Sequence, residues 1–213
     1  MVYRKISEAT IRRLSRYFRC LEQMEERGEE MVSSAQLASR CAVNAGQLRK
    51  DLSYFGEFGT RGLGYYVEHL LSDIKRILGL NEEWRLAIIG IGNLGSSLLG
   101  YKDFLRQNYK IVAAFDIDPQ KVIGRVSGKL GKPVEVLHIS RIKEVAKKRK
   151  IQIGLITTPS SEAQGAADLL VKAKVRGILN FTPAQIIVRK GYVVKDVLFT
   201  TTLDNLAYLL SNI

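Results

Sequence analysis

A chain of 213 residues with 46 % hydrophobic and 25 % charged side chains is long enough for one large or two small domains, and this composition argues against a disordered, collagen-like or membrane-spanning protein. Its 33 Lys and Arg against 21 Asp and Glu give a net charge of +12, which turns attention to polyanionic partners such as nucleic acid or an acidic membrane surface. No run approaches the roughly 18 apolar residues of a membrane span, and the N-terminal stretch has no apolar signal core, so a cytoplasmic protein with no membrane partner is expected.

Residues 6–24 repeat apolar positions at spacings of three and four, Ile11, Leu14, Phe18 and Leu21, with Arg12, Arg13, Arg16 and Arg19 between them; this is a helix with one buried stripe. Ser33 and Gln36 form an S-x-x-Q capping box for a short helix through Ala38, residues 41–43 make a turn, and Asn44 can cap a second helix to about Phe55. Two short helices joined by a tight turn predict a helix-turn-helix. On the second helix Leu48, Leu52 and Phe55 share one face, which leaves Gln47, Arg49, Lys50, Ser53 and Tyr54 outward. In a helix-turn-helix that face enters the major groove, where Arg and Lys meet guanine edges or phosphates and Gln pairs with adenine. Taken alone, Arg49 and Lys50 fit a solvated charged face better. The next segment tips the balance toward DNA: residues 56–65, GEFGTRGLGY, read as a tight β-hairpin with Arg61 near its tip, flanked by Gly59 and Gly62, and able to enter a minor groove. A helix over residues 66–80, ending at Gly79, serves as a connector. Cys20 and Cys41, lacking CxxC spacing or histidine company, support neither a disulfide nor a zinc site and read as reduced, packed thiols.

From Trp84 the pattern changes to apolar strands alternating with helices, which predicts a doubly wound α/β sheet. The strand over 84–89 runs directly into Gly90-Ile91-Gly92-Asn93-Leu94-Gly95 and a helix, and the next strand, 110–115, ends in Asp116. This is the context of a dinucleotide site: the glycines let the backbone approach a pyrophosphate at a helix N-terminus and the acid takes a ribose 2′-hydroxyl. Asp116 and Asp118 disfavour a 2′-phosphate, so NAD(H) is favoured over NADP(H). Thr157-Thr158-Pro159 and Asn180-Phe181 fall at the C-terminal ends of two later strands, where they are candidates to line the nicotinamide half. Lys147 to Lys150, just before a strand, could form a nucleic-acid patch, but such a run is more often a solvated helix end with its cations against the helix dipole. A final helix bears a narrow apolar stripe, Leu203, Leu206, Ala207 and Leu210, which packs either on its own sheet or in a partner subunit.

The segments QLRKDLSYFG (47–56), GTRG (59–62), the glycine loop 90–95 and ILNF (178–181) together resemble the Rex family of bacterial redox-sensing transcriptional repressors over essentially the whole chain. The resemblance implies a winged-helix DNA-binding domain (1–80), a Rossmann NAD(H)-binding domain (81–200) and a C-terminal helix (201–213) exchanged in a homodimer. It further implies an inverted-repeat operator in double-stranded DNA that is bound by the free or NAD+-bound protein and released by NADH. By position, Arg49 and Lys50 would contact the major groove and Arg61 the minor groove. Tyr101 would couple the cofactor pocket to the DNA-binding domain, with Arg19 as its partner, and Phe199 would lie against the other subunit's nicotinamide. Asn93 stands where some members carry Arg, and Leu198 where some carry an acidic switch residue, with Asp196 two positions away. Two rivals remain: an NAD-dependent oxidoreductase, for which His69 and His138 offer no carboxylate-paired acid or base, and a coenzyme A or other nucleotide sensor. Divided at the domain boundary, the charge is 13 Lys and Arg against 10 Asp and Glu up to residue 79 and 20 against 11 beyond it; most of the excess lies outside the DNA-binding half.

Overall fold

The computed structural model describes residues 6–60, 62–101, 104, 108–126 and 134–212, with the side chains of 123–126 excepted; Arg61 therefore lies outside the described residues. The chain forms two units, residues 1–82 and 83–213.

In the first unit α1 (Glu8–Glu26) is capped by Ser7, whose Oγ accepts from Thr10 N at 3.1 Å. Its buried stripe holds Leu14, Phe18 and Leu21 as expected, joined by Tyr17 and Met24, whereas Ile11 is exposed; Tyr17 can be buried because its hydroxyl has a buried partner. β1 (Met31–Val32) precedes α2 (Ser34–Arg40), which begins at Ser33 with both hydrogen bonds of the capping box formed. Ala42 turns the chain at φ +50°, and Asn44 caps α3 (Ala45–Ser53), its Oδ1 accepting from Gln47 N at 2.7 Å. β2 (Tyr65–Tyr66) leads into α4 (Val67–Ile77), closed by Gly79 at φ +70° with Leu80 N donating to Lys75 O at 2.9 Å. Of the expected hairpin over 56–65 the described residues show one bridge, Thr60 to Gly64; β2 pairs antiparallel with β1, a strand that two residues of sequence do not announce. Both thiols are free: Cys41 is buried, Cys20 half-buried, and burial pushes the Cys41 thiol up, so it is a poor nucleophile.

The second unit is one parallel sheet, β3 (Trp84–Ile89), β4 (Tyr109–Asp116), β5 (Val136–His138), β6 (Ile153–Ile156), β7 (Gly177–Asn180) and β8 (Val193–Asp196), in the order β5-β4-β3-β6-β7-β8. Alternate residues feed two cores: Ala87 and Ile89 point to one face with Phe115 and Ile156, and Leu86 and Ile88 to the other with Ala114 and Leu155. α5 (Asn93–Leu99) and α6 (Pro119–Val126) come after β3 and β4, and Leu99 and Val122 pack into the second core; α7 (Ile142–Lys148) and α8 (Ala163–Lys172) cover the first. Strand order reverses between β3 and β6, which opens a crevice beyond their C-terminal ends. The last helix, α9 (Phe199–Leu210), buries none of its residues; Leu203, Leu206, Leu209 and Leu210 are each at least half exposed. Packing on its own sheet is thereby excluded for this helix as it stands in one chain.

Candidate functional site

The crevice holds a cleft of about 420 Å³ whose floor is the glycine loop. The three glycines do different things. Gly90 sits at φ +95°, and a Cβ there would come within 3.0 Å of the Thr157 backbone. At Gly95 a Cβ would meet the Gly90 carbonyl oxygen at 2.1 Å, so this glycine lets α5 close onto the loop. Around Gly92 a Cβ would meet nothing within 4 Å: the space over that backbone belongs to the cleft, where the first N–H groups of a helix lack intrahelical acceptors. Asp116, at the end of β4, accepts from Ile91 N at 2.7 Å on one carboxylate oxygen and from Asp118 N at 3.0 Å on the other. Its carboxylate is thus fixed beside the loop with lone pairs to spare for a ribose diol.

Thr157 Oγ1 donates to the carbonyls at the end of β3, to Gly90 O at 2.7 Å, and so ties the two strand ends together. Thr158 lines the cleft with a buried Oγ1 that has no hydrogen-bond partner. A buried orphan hydroxyl costs stability unless something satisfies it, and a phosphate or amide oxygen in the cleft would do so. Thr158→Val is accordingly expected to raise the thermal midpoint of the free protein slightly while weakening nucleotide binding about tenfold, read by thermal melts with and without ligand.

The structure redistributes several expected cofactor residues. Gly90, Gly92, Asp116, Thr157, Thr158 and Pro159 line the cleft; Gly95 lies beneath it, and Asn93 and Leu94 are exposed on the first turn of α5 without lining it. Asp118 is not part of the lining: its carboxylate is held below its ordinary range by the hydrogen bond from Lys121 at 2.9 Å. Asn180 is fully buried and its amide is spent within the protein, donating to Ala184 O at 2.9 Å and Asp196 Oδ1 at 2.8 Å and accepting from Thr182. It locks the loop after β7 and offers nothing to a ligand. Phe181 packs against the core, and Phe199 is 62 % exposed at the start of α9, outside the cleft. Unforeseen lining comes from Ile117, Ile139, Glu162 and Leu169; only Ile117, next to the fingerprint acid, had a positional signal.

In the first unit, α3 and residues 56–60 and 62–65 flank a second cleft, of about 670 Å³, that brings together Arg49, Ser53, Gly59 and Gly62. Gly59 (φ +76°) packs so closely that a Cβ would lie 2.3 Å from the Gly64 carbonyl oxygen. Arg49 is exposed, its Nη1 donating to Ser34 Oγ at 3.0 Å; Lys50 and Tyr54 are exposed, and Ser53 Oγ donates back to Lys50 O at 2.8 Å. Gln47 departs from expectation. Its Nε2 donates to Asp51 Oδ1 at 2.8 Å, which commits the amide to the protein rather than to a base.

Asp51 is the residue that outward-face reasoning overlooked. Fully buried, it accepts from Arg13 Nε and Nη2 at 2.6 and 2.8 Å, Tyr17 Oη at 2.8 Å and Gln47, and so pins α3 to α1. Burial alone would raise its carboxyl, but the hydrogen bonds from Arg13, Tyr17 and Gln47 outweigh that and hold it below the usual carboxylate range. The Tyr17 phenol is pushed up by burial and by the same carboxylate. Of the expected switch pair, Arg19 lies on the exposed side of α1, and Tyr101 comes just after α5 with its ring edge-on to Phe104 at 5.1 Å.

Among proteins of known family, residues 5–53 match a model described as "Putative DNA-binding protein N-terminus" and residues 81–184 one described as "CoA binding domain". The chain is 49 % identical over 211 residues, 99 % of each chain, to the redox-sensing transcriptional repressor Rex of Syntrophobacter fumaroxidans, and 45 % identical to that of Carboxydothermus hydrogenoformans over 96 % of each. In solved structures it is similar to a protein named RSP in complex with β-NAD+ and operator DNA (TM-score 0.88, 35 % identity, 97 % of this chain and 93 % of that one). It is also similar to RSP in complex with β-NADH (TM-score 0.85, 34 % identity, 98 % and 95 %). Full-length identity at this level, on top of a winged helix-turn-helix followed by a glycine-loop sheet with an acid after its second strand, assigns the chain to the Rex family of redox-sensing transcriptional repressors.

Proposed function

We propose that this chain acts as a homodimeric repressor that holds an inverted-repeat operator when free or bound to NAD+ and lets go when NADH closes the dimer, so that transcription tracks the NADH/NAD+ ratio. The observation that carries the cofactor half is Asp116, whose carboxylate is fixed beside the glycine loop by two backbone N–H groups. A phosphate on the ribose, at the 2′ position in NADP(H) or the 3′ position in coenzyme A, meets that charge; the free diol of NAD(H) hydrogen-bonds to it. The coenzyme A reading, which the matched domain description favours, is disfavoured on this ground. Among the described residues the cleft lining has no histidine and its acids are Asp116 and Glu162, which is poor equipment for hydride chemistry and suits a sensor that binds without turnover.

The wholly uncovered apolar face of α9 supports exchange of this helix in the dimer, with Phe199 brought against the partner's nicotinamide. An oxidised nicotinamide carries a positive ring charge whose enclosure by apolar side chains costs desolvation, whereas NADH is neutral there. A closed dimer that prefers NADH carries its recognition helices at a spacing that no longer fits successive major-groove faces. In this reading Arg49, Lys50, Ser53 and Tyr54 face the major groove, Gly59, Arg61 and Gly62 the minor groove, and Arg19 and Tyr101 couple the DNA-binding domain (1–80) to the NAD(H)-binding domain (81–200). Gln47 holds α3 in place. In a gel shift on an inverted-repeat operator, NADH is expected to abolish the complex at concentrations where NAD+ and coenzyme A leave it intact; equal effects of NADH and NAD+ would sink redox sensing.

A further inference from the structure

Among the described residues, the nucleotide cleft is lined by two acids and no lysine or arginine, so the positive excess they carry in the second unit has no use there. Strand register says where part of it goes. Ile153, Gly177 and Val193 are paired across β6, β7 and β8, and three residues before them stand Lys150, Lys174 and Lys190. Because the strands are parallel, the three lysines line one edge of the sheet, that of the strand N-termini, opposite the glycine loop. Strands about 4.8 Å apart make this a row about 10 Å long. Lys147 and Lys148 on the last turn of α7, Lys172 on that of α8, and Arg176 extend it. All seven are exposed, and among the described residues none has an ion-pair partner. At the same register before β3 stands Glu83, paired with Arg85 and Lys110, which ends the row.

Two of the lysines occupy strained backbone. Lys150 (φ +51°) and Lys174 (φ +62°) each come directly after a helix C-cap, and the next residue donates back into the helix, Ile151 N to Ala146 O and Val175 N to Leu170 O, both at 3.0 Å. α4 makes the same closure with Gly79, the residue this motif favours. A solvated helix end accounts for Lys147 and Lys148, which face the negative end of the helix dipole; it does not account for lysine in place of glycine at two left-handed positions in one row. Ala42 (φ +50°) makes the same closure after α2, with Val43 N donating to Ala38 O at 3.0 Å, so the backbone alone is no mark of function; what sets Lys150 and Lys174 apart is that both are exposed cations in one register row.

We propose that this lysine row is a sequence-independent surface for the phosphates of double-stranded DNA. Lysines act as point charges on phosphate and read no base bidentately. The apolar residues between them, Ile151 and Val175, are buried; Val193, at the β8 end, is 58 % exposed, and one aliphatic side chain is too little apolar area to anchor in a membrane. The adjoining ring, Tyr192, is half-buried with Arg189 over its face and its hydroxyl bonded to Val171 O, and so offers no stacking platform to single strands. Only the choice of duplex rests on the operator reading.

The test compares the full-length chain with a K150G/K174G/K190Q variant on a non-operator duplex of about 40 base pairs, between about 50 and 200 mM salt, with an operator duplex and NADH titration alongside. The slope of log K against log salt is expected to fall in magnitude by about 2 to 3 and non-operator affinity by about tenfold or more. NADH affinity stays unchanged, and the thermal midpoint does not fall, since glycine relieves both left-handed residues. An unchanged slope overturns the proposal, as does wild-type protein binding phosphatidylserine vesicles or the single strand more tightly than the duplex. Wild type that shows the steep slope yet no preference for operator overturns the operator reading and leaves this one standing.

Discussion

Replacing Asp51 by alanine is expected to cost the winged-helix unit about 3 to 5 kcal/mol, the range for breaking a buried ion pair by removing one partner. The carboxylate is fully buried and answers Arg13, Tyr17 and Gln47 at once, so its loss strands three donors and leaves the Arg13 charge unpaired. A loss of that size is a large part of the stability of a small domain. Calorimetry of the full chain is expected to show the transition of this unit shifted down or gone, with operator binding lost, while NADH binding, which belongs to the other unit, persists. Asp51→Asn separates charge from shape. The carboxyl has an ordinary value of 3.8 and titrates lower in the folded chain, so its contribution is complete above about that pH and disappears as pH falls through the native value. The stability gap between wild type and Asp51→Asn is therefore constant near neutrality and closes only in strong acid. A gap that instead closed between pH 5 and 7 would mean that another group governs the network.

The second large effect is a contrast between two glycines three residues apart. Gly92→Val is expected to leave the melting curve near that of wild type, because the space over Gly92 is open, and to lower NADH affinity by on the order of 100-fold, equivalent to about 2.7 kcal/mol or two charge-assisted hydrogen bonds to phosphate. Gly95→Ala fails differently. Its new methyl group meets backbone, the Gly90 carbonyl oxygen at 2.1 Å, so α5 must move off the loop and the unit loses stability even without ligand. Measuring the midpoint and NADH affinity for both variants gives opposite patterns; a Gly92 variant that binds NADH normally would remove the pyrophosphate from this loop.

Features that are local in chemistry could be read from the sequence. Ser33 with Gln36, and Asn44, announce helix starts because a cap needs only its own turn, and the glycine loop announces itself because strand, loop and helix are contiguous. Features decided by distant partners could not. β1 is two residues long and exists because Tyr65 and Tyr66 return to it. Asn180 stands where a ligand residue could stand, but register brings Asp196 beside it and the amide is consumed. Asp51 was half legible: it falls on the buried face with Leu48, Leu52 and Phe55, a position where a carboxylate is tolerable only with partners, and Arg13 and Tyr17 on α1 could not be inferred from α3 alone. The surface for DNA was reached from outward residues, one of which, Gln47, proved to belong to that buried group.

The uncovered face of α9 makes folding and abundance inseparable. With no residue of this helix buried in a single chain, each of its leucines gains burial only when a second copy arrives, so on the proposed dimer the working state grows with the square of protomer concentration. A cell that makes few copies then has less repressor than its protein count implies, and one that makes many has proportionately more. The gene dosage of such a protein sets a threshold on which the nucleotide ratio acts.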